Sequence, residues 1–143
     1  MKDNKVIGRT IHISIPAGGV VDLLAKVDTG ADGSSIWASD ISKVGGVLRF
    51  SLLGPSSDKY TGQIIETTDY SFVRVKNSFG ESERRYRVRL TVNIEGRKVR
   101  ARFSLANRQL KSYPALIGRR LLHNKFTVDV SKHHKSLPIN RSK

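Results

Sequence analysis

An all-β fold, a sandwich or a small barrel, is what this sequence of 143 residues predicts. Two observations carry the prediction. Strand-like segments recur at short, regular spacing between turns rich in Gly and Pro. The most periodic two of them flank a two-residue turn, giving a ribbon with one apolar and one cationic face. The length adds a bound, because a chain of this size suits one domain.

The elements follow in order. In "RTIHISI" (9–15), Ile11, Ile13 and Ile15 alternate with Thr10, His12 and Ser14, the signature of a half-buried strand. "PAGG" (16–19) turns the chain. "VVDLLAKV" (20–27) returns with Val21, Leu23, Ala25 and Val27 expected on one face, so a hairpin leads directly to Asp28. "SSIWASDISKV" (34–44) is open between a short strand and a helical turn. "LRFSLL" (48–53) reads as a strand closed by Gly54-Pro55, "SSDKYTG" (56–62) as a loop, and 63–77 as β-branched and aromatic in composition.

The ribbon comes next. Tyr86, Val88, Leu90, Val92 and Ile94 share one face, with Arg85, Arg87, Arg89, Thr91 and Asn93 on the other. Glu95-Gly96 turns the chain, and Val99, Ala101, Phe103 and Leu105 then alternate with Lys98, Arg100, Arg102 and Ser104. The cationic side is read first as the solvent face of an antiparallel sheet. Its excess of arginine over acid keeps a binding role open. "YPALIGRRLLHNKFTVDVS" (113–131) holds an apolar strand, Gly118, two arginines and a final strand. Residues 1–131 are expected to form the single domain, and 132–143 a loosely ordered basic tail.

Composition limits the function classes. The formal net charge is +14, which points to a polyanionic partner or to a merely basic surface. Aromatic side chains that could stack bases are scarce on the arginine face, which disfavours nucleic acid. Cysteine is absent, excluding disulfides and a thiol nucleophile. No apolar run approaches the ~18 residues of a membrane-spanning helix. The first ten residues lack a signal-peptide core, so a cytoplasmic setting is slightly favoured, with export or a periplasmic setting expected instead if a leader has been removed.

The chemistry concentrates in "KVDTGADGSSI" (26–36). An aspartate at a strand end, followed by Thr and Gly, suits acid catalysis. Gly30 lets the backbone pass close to a neighbouring chain or substrate, and the Thr29 hydroxyl can lock the loop. Peptide hydrolysis by carboxyl groups needs two of them about 3 Å apart, sharing one proton. The chain has one Asp-Thr-Gly, so the second carboxyl would come from a second copy across a two-fold axis.

"VDTGADGSSI" with the distal "ALIGRRLL" resembles the retropepsin-like aspartic proteases. The resemblance implies a small closed barrel with one short helix near residues 118–124. It implies catalysis by Asp28, Thr29 and Gly30 of a homodimer, with a peptide held by Ala31 and Asp32 and by a flap. "NSFGES" (77–82) has the flap's place in the order of parts, so Ser78, Phe79 and Gly80 are expected to touch substrate. Asp32 and Arg119 match an ion pair expected to be buried and structural. Ala31 has no hydroxyl to stabilise an acid pair's anion, so activity is expected to reach towards neutral pH. Arg120 is expected in solvent, and Trp37 in the core or at a dimer contact.

A more specific resemblance is to a bacterial family bearing the label ATP-dependent zinc protease, whose members are associated with trimming or handling glutamate-rich peptide tails. The label finds no chemical support in this sequence. There is no G-x-x-x-x-G-K-[ST] phosphate loop and no H-E-x-x-H. His133 and His134 are adjacent, and His12 and His123 are isolated, so all four read as ordinary surface residues. No cofactor and no metal site are expected. The leading expectation is therefore a homodimeric hydrolase of acidic or glutamate-rich peptides. The alternative is a non-catalytic module of the same shape that binds an acidic polypeptide or other polyanion. A metal-dependent hydrolase follows only from the label.

Overall fold

The computed structural model describes residues 4–76 and 79–134. Its elements are β1 (Lys5–Ile7), β2 (Thr10–Ile15), a 3₁₀ turn (Pro16–Gly18), β3 (Val20–Val27), β4 (Ser34–Val44) and β5 (Val47–Leu52). They continue with β6 (Ile64–Thr67), β7 (Tyr70–Lys76), β8 (Ser82–Ile94), β9 (Arg97–Ala106), β10 (Ala115–Ile117), α1 (Arg119–Leu122) and β11 (Phe126–Val128).

Strand pairing runs β10-β3-β2-β8-β9-β4-β5-β6, with β7 added on β8. The short β10 also pairs antiparallel with β4. That second pairing closes β10, β3, β2, β8, β9 and β4 into a ring, the small barrel expected, and leaves no free edge within it. β1 and β11 form a separate parallel pair. Ile11, Ile13, Ile15, Ile36, Phe50, Ile94, Phe103 and Ile117 are almost wholly buried in one cluster.

The β8–β9 ribbon has the register its alternation requires, with Leu90 opposite Ala101 and Val92 opposite Val99. Glu95 (φ 50°) and Gly96 (φ 78°) both adopt the left-handed conformation that a tight two-residue hairpin turn demands. Residues 34–44, open between strand and helix in the sequence, form one long strand. Ser34–Ala38 are all buried, because both faces of this segment are covered, so no alternation is visible. The strand pairs with β9 in its first half and β5 in its second, shifting register near Asp40 (φ 52°).

Two sequence expectations are corrected. Val21 is 60% exposed and Val20 buried, the reverse of the expected face. A bulge at Asp22 (φ 55°), whose N–H donates to the Ser14 hydroxyl at 3.1 Å, inserts a residue and flips the pattern. His12, read as isolated, and His134, read as an ordinary surface residue, in fact meet: their rings stand edge to face at 4.8 Å. His134 Nδ1 lies 2.6 Å from the Thr10 hydroxyl, and the Arg9 guanidinium donates to the His133 ring at 2.9 Å. The Arg9 N–H donates to the Lys132 carbonyl at 2.8 Å, so residues 132–134 lie along the start of β2. The rest of the expected tail, 135–143, lies outside the described residues.

Candidate active site

The Asp-Thr-Gly loop is built where β3, β10 and β4 meet. β10 runs parallel to β3, Ile117 opposite Val27, and the Asp28 N–H extends that ladder by donating to the Ile117 carbonyl at 2.9 Å. Beyond β10 the chain passes under the loop. The N–H groups of Arg119 and Arg120, which begin α1 and have no partner within the helix, donate to the carbonyls of Ala31 (2.8 Å) and Asp32 (3.1 Å). The Gly118 N–H donates to the buried Ser34 hydroxyl at 2.9 Å. Residues 117–120 thus hold residues 28–34 through backbone bonds alone at most points, which fixes the aspartate without help from long side chains.

Asp28 is half-buried, and one carboxylate oxygen accepts the Gly30 N–H at 3.0 Å. A Cβ at Gly30 would stand 3.3 Å from that oxygen, so a bare α-carbon keeps the approach open. Thr29 and Gly30 are exposed. Among the described residues no cation pairs with Asp28 and the Thr29 hydroxyl makes no hydrogen bond, so the loop is not locked by Thr29 within one chain.

The Arg119 guanidinium donates to Asp32 Oδ1, and this bond, with the cation's field, holds the Asp32 carboxyl below the ordinary carboxylate range. The pair is not buried, however: the two side chains are 57% and 66% exposed. The expectation of a buried ion pair is corrected, since α1 is only one turn long and its arginines stand at the rim. Trp37 is in the core, and a Cβ at Gly54 would strike its ring at 2.6 Å.

β7 and β8 form a hairpin whose last pair is Lys76 with Ser82, with Phe79 and Gly80 in the turn. Phe79 is 87% exposed, and Gly80 has φ 80°. Ser78 lies outside the described residues. Val73, Val75, Arg85 and Arg87 of the hairpin border a cleft of about 570 Å³ that Ala31, Gly33, Ser34 and Ser35 also line. Arg100, Arg102, Arg120 and Lys125 complete a cationic rim, and among the described residues no aspartate or glutamate lines the space. The arginine face, read first as a solvated sheet surface, is therefore one wall of a cleft beside the Asp28 loop.

Sequence reasoning missed Ser34, Ser35 and Arg108. Arg108 donates from Nε to the Tyr113 carbonyl at 3.0 Å and from Nη1 to the Ser35 hydroxyl at 3.4 Å. Two serines in a strand directly after the loop were the available signal; for Arg108 there was none. Among the described residues no three His, Asp or Glu side chains converge, so the groups present do not fit a protein-held zinc site.

A closed β-barrel that suspends a strand-end Asp-Thr-Gly over a short Gly-Arg helix defines the retropepsin-like class. The chain belongs to the RimB-like family, described as retropepsin-like aspartic endopeptidase RimB, which matches residues 6–136. Curated relatives in Shewanella pealeana and Shewanella halifaxensis, each named "Probable alpha-L-glutamate ligase", are 34% and 33% identical over 137 residues. Those matches cover 92% of this chain but only 30% of the relatives' length. A crystal structure of Lpg0085, a Legionella pneumophila protein of unknown function, superposes with a TM-score of 0.73 at 24% identity, over 92% of this chain and 98% of that one. That likeness concerns the fold. No helix among the described residues is long and apolar enough to cross a membrane.

Proposed function

We propose that the chain is a peptidase that works as a homodimer, the two Asp28 carboxyl groups sharing one proton across a two-fold axis. The ionised partner takes a proton from a water molecule as its oxygen attacks the scissile carbonyl carbon, while the protonated partner gives its proton to the carbonyl oxygen. Collapse of the resulting diol breaks the C–N bond, and the departing nitrogen takes back a proton from a carboxyl group. Family membership and the fixed, half-buried Asp28 support this reading. Thr29, exposed and without a hydrogen-bond partner among the described residues, is free to bond across such an axis.

The preferred substrate is an acidic, glutamate-rich peptide lying extended between the loop and the β7–β8 hairpin, where Phe79 and Gly80 would fold over it. The observation that carries this preference is the cleft itself, lined among the described residues by five arginines and a lysine and by no acid. The name of the Shewanella relatives, which places glutamate chemistry in chains that include a counterpart of this domain, agrees with it. The test is hydrolysis of an acidic peptide library by wild type and Asp28→Asn. Loss of cleavage in the variant supports the reading, and unchanged cleavage sinks it.

A second reading, a non-catalytic holder of polyanions, draws on the same cleft, which needs no Asp28 to bind. It predicts salt-sensitive binding that survives Asp28→Asn, is reduced when Arg87, Arg89, Arg100 and Arg102 are neutralised, and comes with no cleavage by wild type.

A further inference from the structure

Residues 132–134 are fastened to the start of β2 by four bonds, and three histidines share the seam. The Arg9 N–H donates to the Lys132 carbonyl at 2.8 Å, and a Cβ at the neighbouring Gly8 would stand 2.5 Å from the same oxygen. The His134 N–H donates to the Thr10 hydroxyl at 3.1 Å, and the His134 Nδ1 lies 2.6 Å from that hydroxyl. The Arg9 guanidinium donates to the His133 ring at 2.9 Å. His12, partly buried on β2, meets the His134 ring edge to face at 4.8 Å.

The charged groups around this seam are mostly cations. Lys59 from the 56–62 loop acts on His12, opposed by Asp22 of β3 and Glu95 of the β8–β9 turn. Arg9 faces His133. Lys5 and Lys132 line a cleft of about 470 Å³ with His133 and His134, and Glu95 is the one acid lining it among the described residues. Asp129, just before the seam, is occupied by the Ser131 N–H at 3.0 Å and the Ser131 hydroxyl at 2.6 Å.

Protonation therefore works against the closed arrangement. A neutral imidazole keeps one lone pair for the Arg9 donor, whereas an imidazolium has none and sets a second cation against the guanidinium. That contact is exposed, so its loss alone weakens the seam little. The Thr10 hydroxyl can donate to His134 or accept from it, and tolerates either state. The His12–His134 contact does not, since two protonated rings would face each other in a partly desolvated place. Burial and then the charge of His134 already hold the His12 pKa below 6.5, so the closed form resists the proton.

We infer that residues 132–134 form a pH-operated strap, closed on β2 while the three histidines are neutral and released when His12 and His134 are protonated together. Release is a local opening and leaves the barrel standing. On the other side of the strapped residue, the Arg9 carbonyl accepts the Val27 N–H at 2.8 Å, a bond between β2 and β3 that involves neither the strap nor a histidine. The device is independent of whether the chain cleaves peptides.

Residue-resolved amide hydrogen exchange on the full wild-type chain tests this at about pH 7.5 and about pH 5.5, on either side of the ordinary imidazole value. Rates are corrected for the intrinsic pH dependence of exchange. Protection of the Arg9 N–H, whose partner is the Lys132 carbonyl, is expected to fall by about tenfold or more at the lower pH, the scale of one linked proton per pH unit. Protection of the Val27 N–H should change by less than about twofold. The double variant His12→Gln with His133→Gln keeps polar side chains that cannot charge, so its Arg9 N–H should stay protected at both pH values. Unchanged Arg9 protection in wild type, an equal fall at Val27, or a double variant that responds as wild type does would each overturn the inference. The wild-type comparison of the two amides decides it even where the double variant does not fold.

Discussion

Gly118 passes so close beneath Gly33 that a Cβ at position 118 would stand 2.3 Å from the Gly33 carbonyl oxygen and 2.9 Å from that of Ala31. Both obstacles are backbone, fixed in turn by the bonds that hold the Asp28 loop, so neither can yield cheaply. Gly118→Ala is therefore expected to destabilise the fold by about 2–4 kcal/mol, lowering the melting temperature by on the order of 10 °C. Gly33→Ala is the control, because a Cβ there would meet nothing within 4 Å. Thermal melts of the two variants check the contrast, and equal melting temperatures would contradict it.

The exposed Asp32–Arg119 pair makes a different demand. Side chains more than half in water contribute little to folding, so Asp32→Asn should change the melting temperature at pH 7 by a few degrees at most. The sign of the pH effect follows from the lowered Asp32 pKa. A carboxyl depressed in the folded state stabilises above its unfolded value of 3.8, and that contribution disappears as pH falls through the folded value. Wild type and variant should converge below pH 3.8. A large loss at neutral pH would instead mean that the pair becomes buried, as it would against a second subunit.

His12 predicts a second pH sensitivity. Burial, then the charge of His134, lowers its pKa from 6.5, with Lys59 acting the same way and Asp22 and Glu95 opposing. The unfolded chain then binds more protons than the folded one just below pH 6.5. The contribution is complete above that value and is lost as pH falls from there towards the lowered folded value. Melting temperatures measured from pH 8 to pH 5 should fall more steeply for wild type than for His12→Gln. Parallel curves would show that the His12–His134 contact carries no proton linkage.

The β8–β9 ribbon was legible because each strand has one face in the core, so Val88, Leu90 and Val92 alternate with Arg87, Arg89 and Thr91 along the chain. β4 was not, because Ser34 and Ser35 are buried by partners some 70–85 residues away, the Gly118 N–H and Arg108. No local pattern records such partners. The Asp22 bulge defeated the face of Val20 and Val21 for the complementary reason: alternation assumes a register that one extra residue breaks. Asp28 and the Gly-Arg turn stood out as motifs, since their positions are set by neighbours in sequence. What faces the arginine ribbon could not be read, because alternation states which side chains share a face and is silent on what lies opposite.

One mixing experiment reaches the proposed acid pair most directly. A fixed amount of wild-type chain is titrated with the Asp28→Asn chain while cleavage of a glutamate-rich peptide is followed. If each active centre takes one Asp28 from each of two copies, wild-type chains drawn into mixed pairs lose their partner carboxyl, and the rate falls towards zero as the variant reaches excess. A rate that stays constant throughout the titration would mean that one chain's Asp28 suffices, and the shared-proton account would be wrong.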